Sequence, residues 1–152
     1  MPRIHLATAL VRRGDAVLLV ASHYPNHPHP LWNLPGGRRQ PGELLAATAL
    51  RELHEETGLH ATIVELCYVS ESYDGETHFT NFTFAADATG DPQPGRIEGD
   101  HVVDSAWTPI DEIAQRISVG VVREPLLAYL RGELNARYAG YAEAGISIEF
   151  PD

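Results

Sequence analysis

Residues 37–59 constrain this chain more than any other stretch, and they read GRRQPGELLAATALRELHEETGL. Leu45, Ala49, Leu50 and Leu53 recur at three- and four-residue intervals, the spacing of one buried helix face. Pro41 and Gly42 mark the helix start, and Gly58 stands where a left-handed C-terminal cap belongs. Glu43 then falls in the first turn, where the helix dipole favours an acid. Glu52, Glu55 and Glu56 break the pattern, because they crowd the negative end of that dipole beside the apolar stripe. Each costs roughly 0.3–1 kcal/mol there, and the Glu52/Glu56 pair adds about 0.2–0.5 kcal/mol of repulsion. Arg51 can relieve Glu55 at i+4, though in the less favourable orientation. A solvated acidic face is the usual fate of a charge run, but several local rules broken together mark a functional site. A divalent cation removes the conflict, and clustered carboxylate oxygens suit Mg²⁺ or Mn²⁺. The turn Pro35-Gly36-Gly37 lets the backbone approach the same ion.

The segment also matches G-x5-E-x7-R-E-U-x-E-E-x-G-U, with U aliphatic, at every specified position. At average residue frequencies such a match arises by chance with probability on the order of 10⁻⁷ or less. The chain thus resembles the Nudix hydrolase family (MutT-like), and Trp32-Asn33-Leu34-Pro35 and the strand patterns on either side fit as well. The resemblance implies an α/β fold, the Nudix α/β/α sandwich with a mixed β-sheet between helices. It also implies a Mg²⁺-dependent pyrophosphohydrolase, cleaving a nucleoside diphosphate linked to another moiety by water attack at phosphorus. It assigns metal binding to Glu52 and Glu56, usually joined by Glu55, with the carbonyl of Gly37 often completing the site. Gly36 and Glu43 support that turn and helix, and Arg51 positions a neighbouring carboxylate or, as a minority reading, contacts phosphate. The general base is a box glutamate in some relatives, which puts Glu52 and Glu55 among the catalytic candidates, and a loop carboxylate in others. Here the loop choice falls on Glu98 first, Asp100 second and Asp104 behind them. Glu98 is flanked by glycine before a strand, the kind of place from which a residue closes over substrate.

The rest of the chain sets bounds. At 152 residues it reads as one domain, residues 1–152, burying roughly 70% of its unfolded surface. No run approaches the ~18 apolar residues of a membrane span. The N-terminus lacks a signal-peptide apolar region. Cys67 is the single cysteine, which excludes an intrachain disulfide and suits a cytoplasmic location. A net charge of −10 argues against broad nucleic-acid binding but leaves room for a small-molecule nucleotide arriving with divalent ions. Arg38, Arg39 and Arg51 could offset its charge locally, as could Arg3 and Arg12.

Residues 4–11 and 16–21 read as a hairpin, and 62–70, 78–86 and 101–108 as further strands. Residues 89–100 form a surface loop rich in proline and glycine. Pro109 opens a helix with Thr108 as N-cap, running to about Ile117, and a second helix covers residues 123–134. Residues 146–150 alternate like a short edge strand, one that could serve between subunits of a homodimer, an arrangement common among relatives. Trp32 and Tyr73 are candidate base contacts beside Arg38, Arg39 and Asp100, with Tyr24 and Phe79 as alternatives, although each aromatic is better explained as core or rim. His23, His27 and His29 lack the cysteine or carboxylate partners of a zinc site and read as a solvated loop. Asn81-Phe82-Thr83 falls in a strand and is discarded as a glycosylation acceptor.

A different class, a non-catalytic Nudix-fold nucleotide-binding regulator, is disfavoured because such proteins commonly lose box carboxylates and this chain keeps them all. An isoprenoid diphosphate isomerase ranks last for want of its extra catalytic residues. Asp74 stands where ADP-ribose-type relatives carry proline, and Tyr73 misses the spacing of dinucleoside polyphosphate relatives. Nucleoside triphosphates, oxidised ones included, come out slightly ahead of dinucleoside polyphosphates and nucleotide sugars.

Overall fold

Alternation along two early strands decides the layering. Ala7, Ala9, Val11 and Leu18 face one side and Leu10, Val17 and Leu19 the other, and all are buried. Strands that are apolar on both faces need cover on both. The structure, a computed structural model, describes residues 2–93, 101–134 and 137–150. In it, helix α1 (Leu45–Thr57) lays Ala49 and Leu53 on the first face. Helices α2 (Ile113–Arg116) and α3 (Gly120–Leu130) cover the second with Ile113, Leu126 and Leu127. The expected helix–sheet–helix sandwich results.

The strands are β1 (Arg3–Leu10), β2 (Arg12–Arg13), β3 (Ala16–Ser22), β4 (Leu31–Asn33), β5 (Gly36–Arg38), β6 (Ala61–Tyr73), β7 (His78–Ala88), β8 (Val102–Pro109) and β9 (Tyr138–Tyr141). A five-stranded mixed sheet runs β5-β1-β7-β6-β9, with β1/β7 and β6/β9 parallel. A second sheet runs β2-β3-β4, with β8 paired to β3. The hairpin expected from residues 4–11 and 16–21 is therefore only a stub, Arg12 and Arg13 against Val17 and Ala16. Strand β1 already has β7 on one edge and β5 on the other, which leaves no edge for β3. The chain changes sheets at Val11, whose carbonyl accepts the Leu18 N–H at 3.0 Å.

Four other expectations shift. Helix α1 begins at Leu45 rather than Pro41, because Gly42 is left-handed (φ +77°) and Leu44 is extended. Glu43 thus precedes the helix instead of sitting in its first turn. Thr108 is no N-cap: it is buried in β8 and accepts from Arg116 Nη1 at 3.2 Å, while Pro109 leads into a 3₁₀ turn (Ile110–Glu112). Helix α3 starts at Gly120 and accommodates Pro125 inside it. Residues 146–150 join no strand; β9, which the sequence pattern does not announce, takes the sheet edge instead. Gly58 (φ +78°) does cap α1, its N–H donating to His54 O at 2.8 Å. Cys67 is a core residue, and burial pushes its thiol pKa up. Among the described residues no helix is long and apolar enough to cross a membrane.

Candidate active site

Strand β5 runs beside β1, with Gly36 opposite Thr8 and Gly37 opposite Ala7, and helix α1 crosses behind it. Contact with backbone requires the glycine at 36, and at 37 the missing Cβ leaves room for a carboxylate. A side chain at Gly36 would overlap Thr8, and a Cβ at Gly37 would lie 2.6–2.8 Å from the Glu52 carboxylate atoms. The Gly36 N–H donates to Glu56 Oε1 at 2.9 Å, and Glu56 is only 2% exposed. One helix turn therefore presents Glu52 and Glu56 directly to the glycine backbone.

Arg51 ties this face together. Its Nε donates to Glu43 Oε2 at 2.7 Å, and Nη1 reaches Glu52 Oε1 at 2.9 Å and Glu55 Oε2 at 3.2 Å. Its Nη2 adds Arg38 O at 3.0 Å and Glu43 Oε1 at 3.1 Å. Glu43 Oε1 also accepts from Thr48 Oγ1 at 2.7 Å and Gln40 N at 3.1 Å, so this acid pins the pre-helix turn to α1. Those bonds, Arg51's first, hold the Glu43 carboxyl down at about 2. The same pairing drives the Arg51 guanidinium further up. The strain foreseen from three acids near a helix C-terminus is thus partly relieved within the chain.

The donor chemistry suits a hard cation, since Glu52, Glu55, Glu56 and the Gly37 carbonyl offer only oxygen. The missing Cβ at Gly37 supplies the room beside Glu52. Among the described residues, no three His, Cys, Asp or Glu side chains form a ready-made metal cage. Glu56 engages Gly36, and Glu52 and Glu55 engage Arg51.

A cavity of about 120 Å³ opens from Gly36, Gly37 and Glu56. Its floor is one face of the five-stranded sheet, including Thr8, Asn81 and Thr83. Thr8 and Thr83 hydroxyls are 2.8 Å apart, and Asn81 Nδ2 donates to Thr83 Oγ1 at 3.0 Å. Tyr24 and Phe79 form part of the wall. Tyr24 is 7% exposed, and burial with the nearby charge of Glu56 pushes its phenol up to about 12.

The other anticipated contacts distribute unevenly. Arg38 does not line the cavity but lies against Phe150, which does, its Cζ 5.0 Å from that ring. Arg38 and Arg39 line a separate surface groove together with Arg3 and His5. Trp32 packs on the core beneath Arg116, whose Cζ is 4.7 Å from its ring, and does not line the cavity. Tyr73 does not line it either; its hydroxyl donates to Gly75 O at 2.9 Å. Asp104 is exposed, its carboxylate accepting the Ser105 N–H at 2.8 Å. Glu98 and Asp100 lie outside the described residues. Thr8, Asn81 and Thr83 join the site without a motif of their own; their trace in the sequence is Asn81 and Thr83 two apart on β7 and Thr8 between alanines on β1.

This arrangement is that of a Nudix fold. The NUDIX domain family model matches residues 2–130, and the chain belongs to that family. A NUDIX hydrolase from Nitrosomonas europaea has a similar structure, with TM-score 0.74 and 26% identity over 91% of this chain and 93% of that one. A Bacillus subtilis protein assigned as an 8-oxo-dGTP diphosphatase is 56% identical over 34 residues, 22% of this chain and 23% of its own. The CTP pyrophosphohydrolase of Escherichia coli is 32% identical over 65 residues, 43% of this chain and 48% of its own. The matches thus span less than half the length of either curated relative.

Proposed function

We propose that the chain is a divalent-metal-dependent pyrophosphohydrolase that splits the diphosphate linkage of a nucleoside triphosphate-type substrate. The observation that carries this reading is the Gly36-Gly37 segment of β5 laid against Glu52 and Glu56, with Arg51 holding Glu52 and Glu55 from the side. Mg²⁺ commonly binds through one or two protein carboxylates plus substrate phosphates, so a partial oxygen set is what such a site needs. Glu52, Glu56 and the Gly37 carbonyl would hold it, with Glu55 as a further ligand. When bound, the cation would offset phosphate charge and make a bound water a better nucleophile.

The remaining work falls to the chain itself. The Gly36 N–H fixes the orientation of Glu56. Arg51 keeps the Glu52 and Glu55 carboxylates from turning to solvent. Arg38, beside Phe150, would meet phosphate, and Tyr24 and Phe79, which line the cavity, would face the base. Glu98 is the first choice for general base and Asp100 the second. The names of the two curated relatives favour nucleoside triphosphates over nucleotide sugars.

The test is a panel of nucleoside triphosphates, 8-oxo-dGTP, dinucleoside polyphosphates and nucleotide sugars incubated with Mg²⁺ and read by product mass. Cleavage of a triphosphate to a monophosphate and pyrophosphate is expected. Binding across the panel with no turnover would replace the hydrolase with a nucleotide-sensing regulator.

A further inference from the structure

After β9 the chain turns at Gly145 (φ +73°) and comes back over the cavity. Ala144, Ile146, Ile148 and Phe150 all line that cavity, so the alternation read from the sequence as an edge strand is real but faces inward. The intervening backbone is fastened outside it. Asn26 Nδ2 donates to Ser147 O at 2.9 Å, the Glu149 N–H donates to Asn26 Oδ1 at 2.9 Å, and His27 Nε2 lies 2.8 Å from Ser147 O. Ala144 N–H donates to Tyr73 O at 3.0 Å.

Phe150 holds the inner end. Its ring centroid is 5.9 Å from Tyr24, edge-on, and 5.9 Å from Phe79, with Arg38 Cζ 5.0 Å from its centre. Two aromatic rings and a guanidinium beside a carboxylate turn are what the base and phosphates of a nucleotide call for. The floor beneath suits such a ligand better than it suits the tail. Asn81 Oδ1 is buried there without a hydrogen-bond partner, an uncompensated loss of hydration. With the tail in place the free volume of about 120 Å³ falls short of the roughly 300–1,000 Å³ of pockets that hold drug-sized ligands.

We propose that residues 144–150 compete with substrate inside one molecule: Phe150 occupies the nucleobase position between Tyr24 and Phe79, and a nucleotide binds by displacing it. This rests on the reading that the cleft takes a nucleotide. A site that is open only part of the time binds with an affinity reduced by that fraction. Loosening the tail therefore raises affinity.

The experiment titrates the α,β-methylene analogue of CTP, and separately that of 8-oxo-dGTP, into the full chain with Mg²⁺, so that the bond to be split is blocked and turnover plays no part. Phe150→Ala should tighten the dissociation constant of at least one of them by about tenfold, since the closed form loses its anchor. Asn26→Ala leaves every cavity-lining residue intact and removes two bonds to the tail, so it should tighten the same constant several-fold. In the parent chain, saturating nucleotide should speed carboxypeptidase release of the C-terminal residues. Weaker binding by Phe150→Ala would make Phe150 a wall that the nucleotide leans on and overturn the proposal. Unchanged affinity in both variants, absence of binding to either probe, or protection of the C-terminus by nucleotide would overturn it too. A chain that hydrolyses nucleotides yet shows no gain in binding defeats this proposal alone. Gains in binding without hydrolysis by the parent defeat the hydrolase assignment alone.

Discussion

At one end of the cleft, Glu43, Arg51, Glu52 and Glu55 hold one another in place through hydrogen bonds made within a turn and a single helix. At the other end, Tyr24, Phe79 and Phe150 meet through ring contacts drawn from three distant parts of the chain. The first kind of construction is directional, and each charge is satisfied by a named partner. The second kind is non-directional, so one ring can be exchanged for another of similar shape. The contrast teaches that the carboxylate end is organised before any ligand arrives, whereas the aromatic end can be filled by the chain itself.

The largest effect that would break this contrast is expected at Glu56. In Glu56→Gln the amide oxygen can still accept from the Gly36 N–H, so the backbone arrangement should persist while the charge is lost. Turnover of the best nucleotide should fall by about a hundredfold or more, with an unchanged far-UV spectrum. Parent-like turnover would mean that the charge at this end does nothing for the chemistry.

Stability should respond next, and only at the charged end. Lysine cannot reproduce a guanidinium that reaches Glu43, Glu52, Glu55 and Arg38 O together. Arg51→Lys should lose about 2 kcal/mol or more, read as a fall of about 4–8 °C in melting temperature. A melting temperature equal to the parent's would remove the claim that this network is fixed in advance. Gly37→Ala probes the same end by contact rather than charge. Its Cβ would meet the Glu52 carboxylate at 2.6 Å, which should turn the carboxylate away at a cost of about 1 kcal/mol, that of the Arg51 bond it gives up. Differential scanning and the Mg²⁺ dependence of turnover report the two consequences separately, and an alanine tolerated in both would show that Glu52 has room to spare.

The same contrast explains which part of the molecule was legible. The carboxylate end lies within residues 36–56, so spacing alone exposes Glu52, Glu55 and Glu56 as acids at odds with their helix position. The sandwich was expected from the resemblance to the Nudix family, and the apolar residues on both faces of β1 and β3 supply its physical reason. The pairing of those strands was not, since the choice of β7 and β5 as neighbours of β1 rests on contacts remote in sequence. The aromatic end failed for the same cause. Thr8, Tyr24, Asn81 and Phe150 become neighbours only after the sheet forms, and nothing in their local spacing announces it. The helix start slipped from Pro41 to Leu45 because Gly42 takes a left-handed conformation that composition does not distinguish from an ordinary helix-entry turn.

The smallest effect sharpens the comparison by pH. In the folded chain the Glu43 carboxyl is held to about 2, against an ordinary 4.5, first by its hydrogen bond from Arg51 and then by Thr48 and Gln40. A depressed acid contributes stability that is fully present above its unfolded value and is lost as pH falls through the folded one. Glu43 is partly solvated and glutamine keeps an acceptor, so Glu43→Gln should cost only about 1 kcal/mol at pH 6. That difference should shrink between pH 4.5 and 2, read by urea unfolding of both chains across the range. Neither Phe79 nor Phe150 titrates, and Tyr24 is pushed up to about 12, so Phe150→Ala should show no corresponding acid limb. A constant gap between the parent and Glu43→Gln down to pH 2 would show that Arg51 does not hold Glu43 ionised, and the charged end would then be no more pre-fastened than the aromatic one.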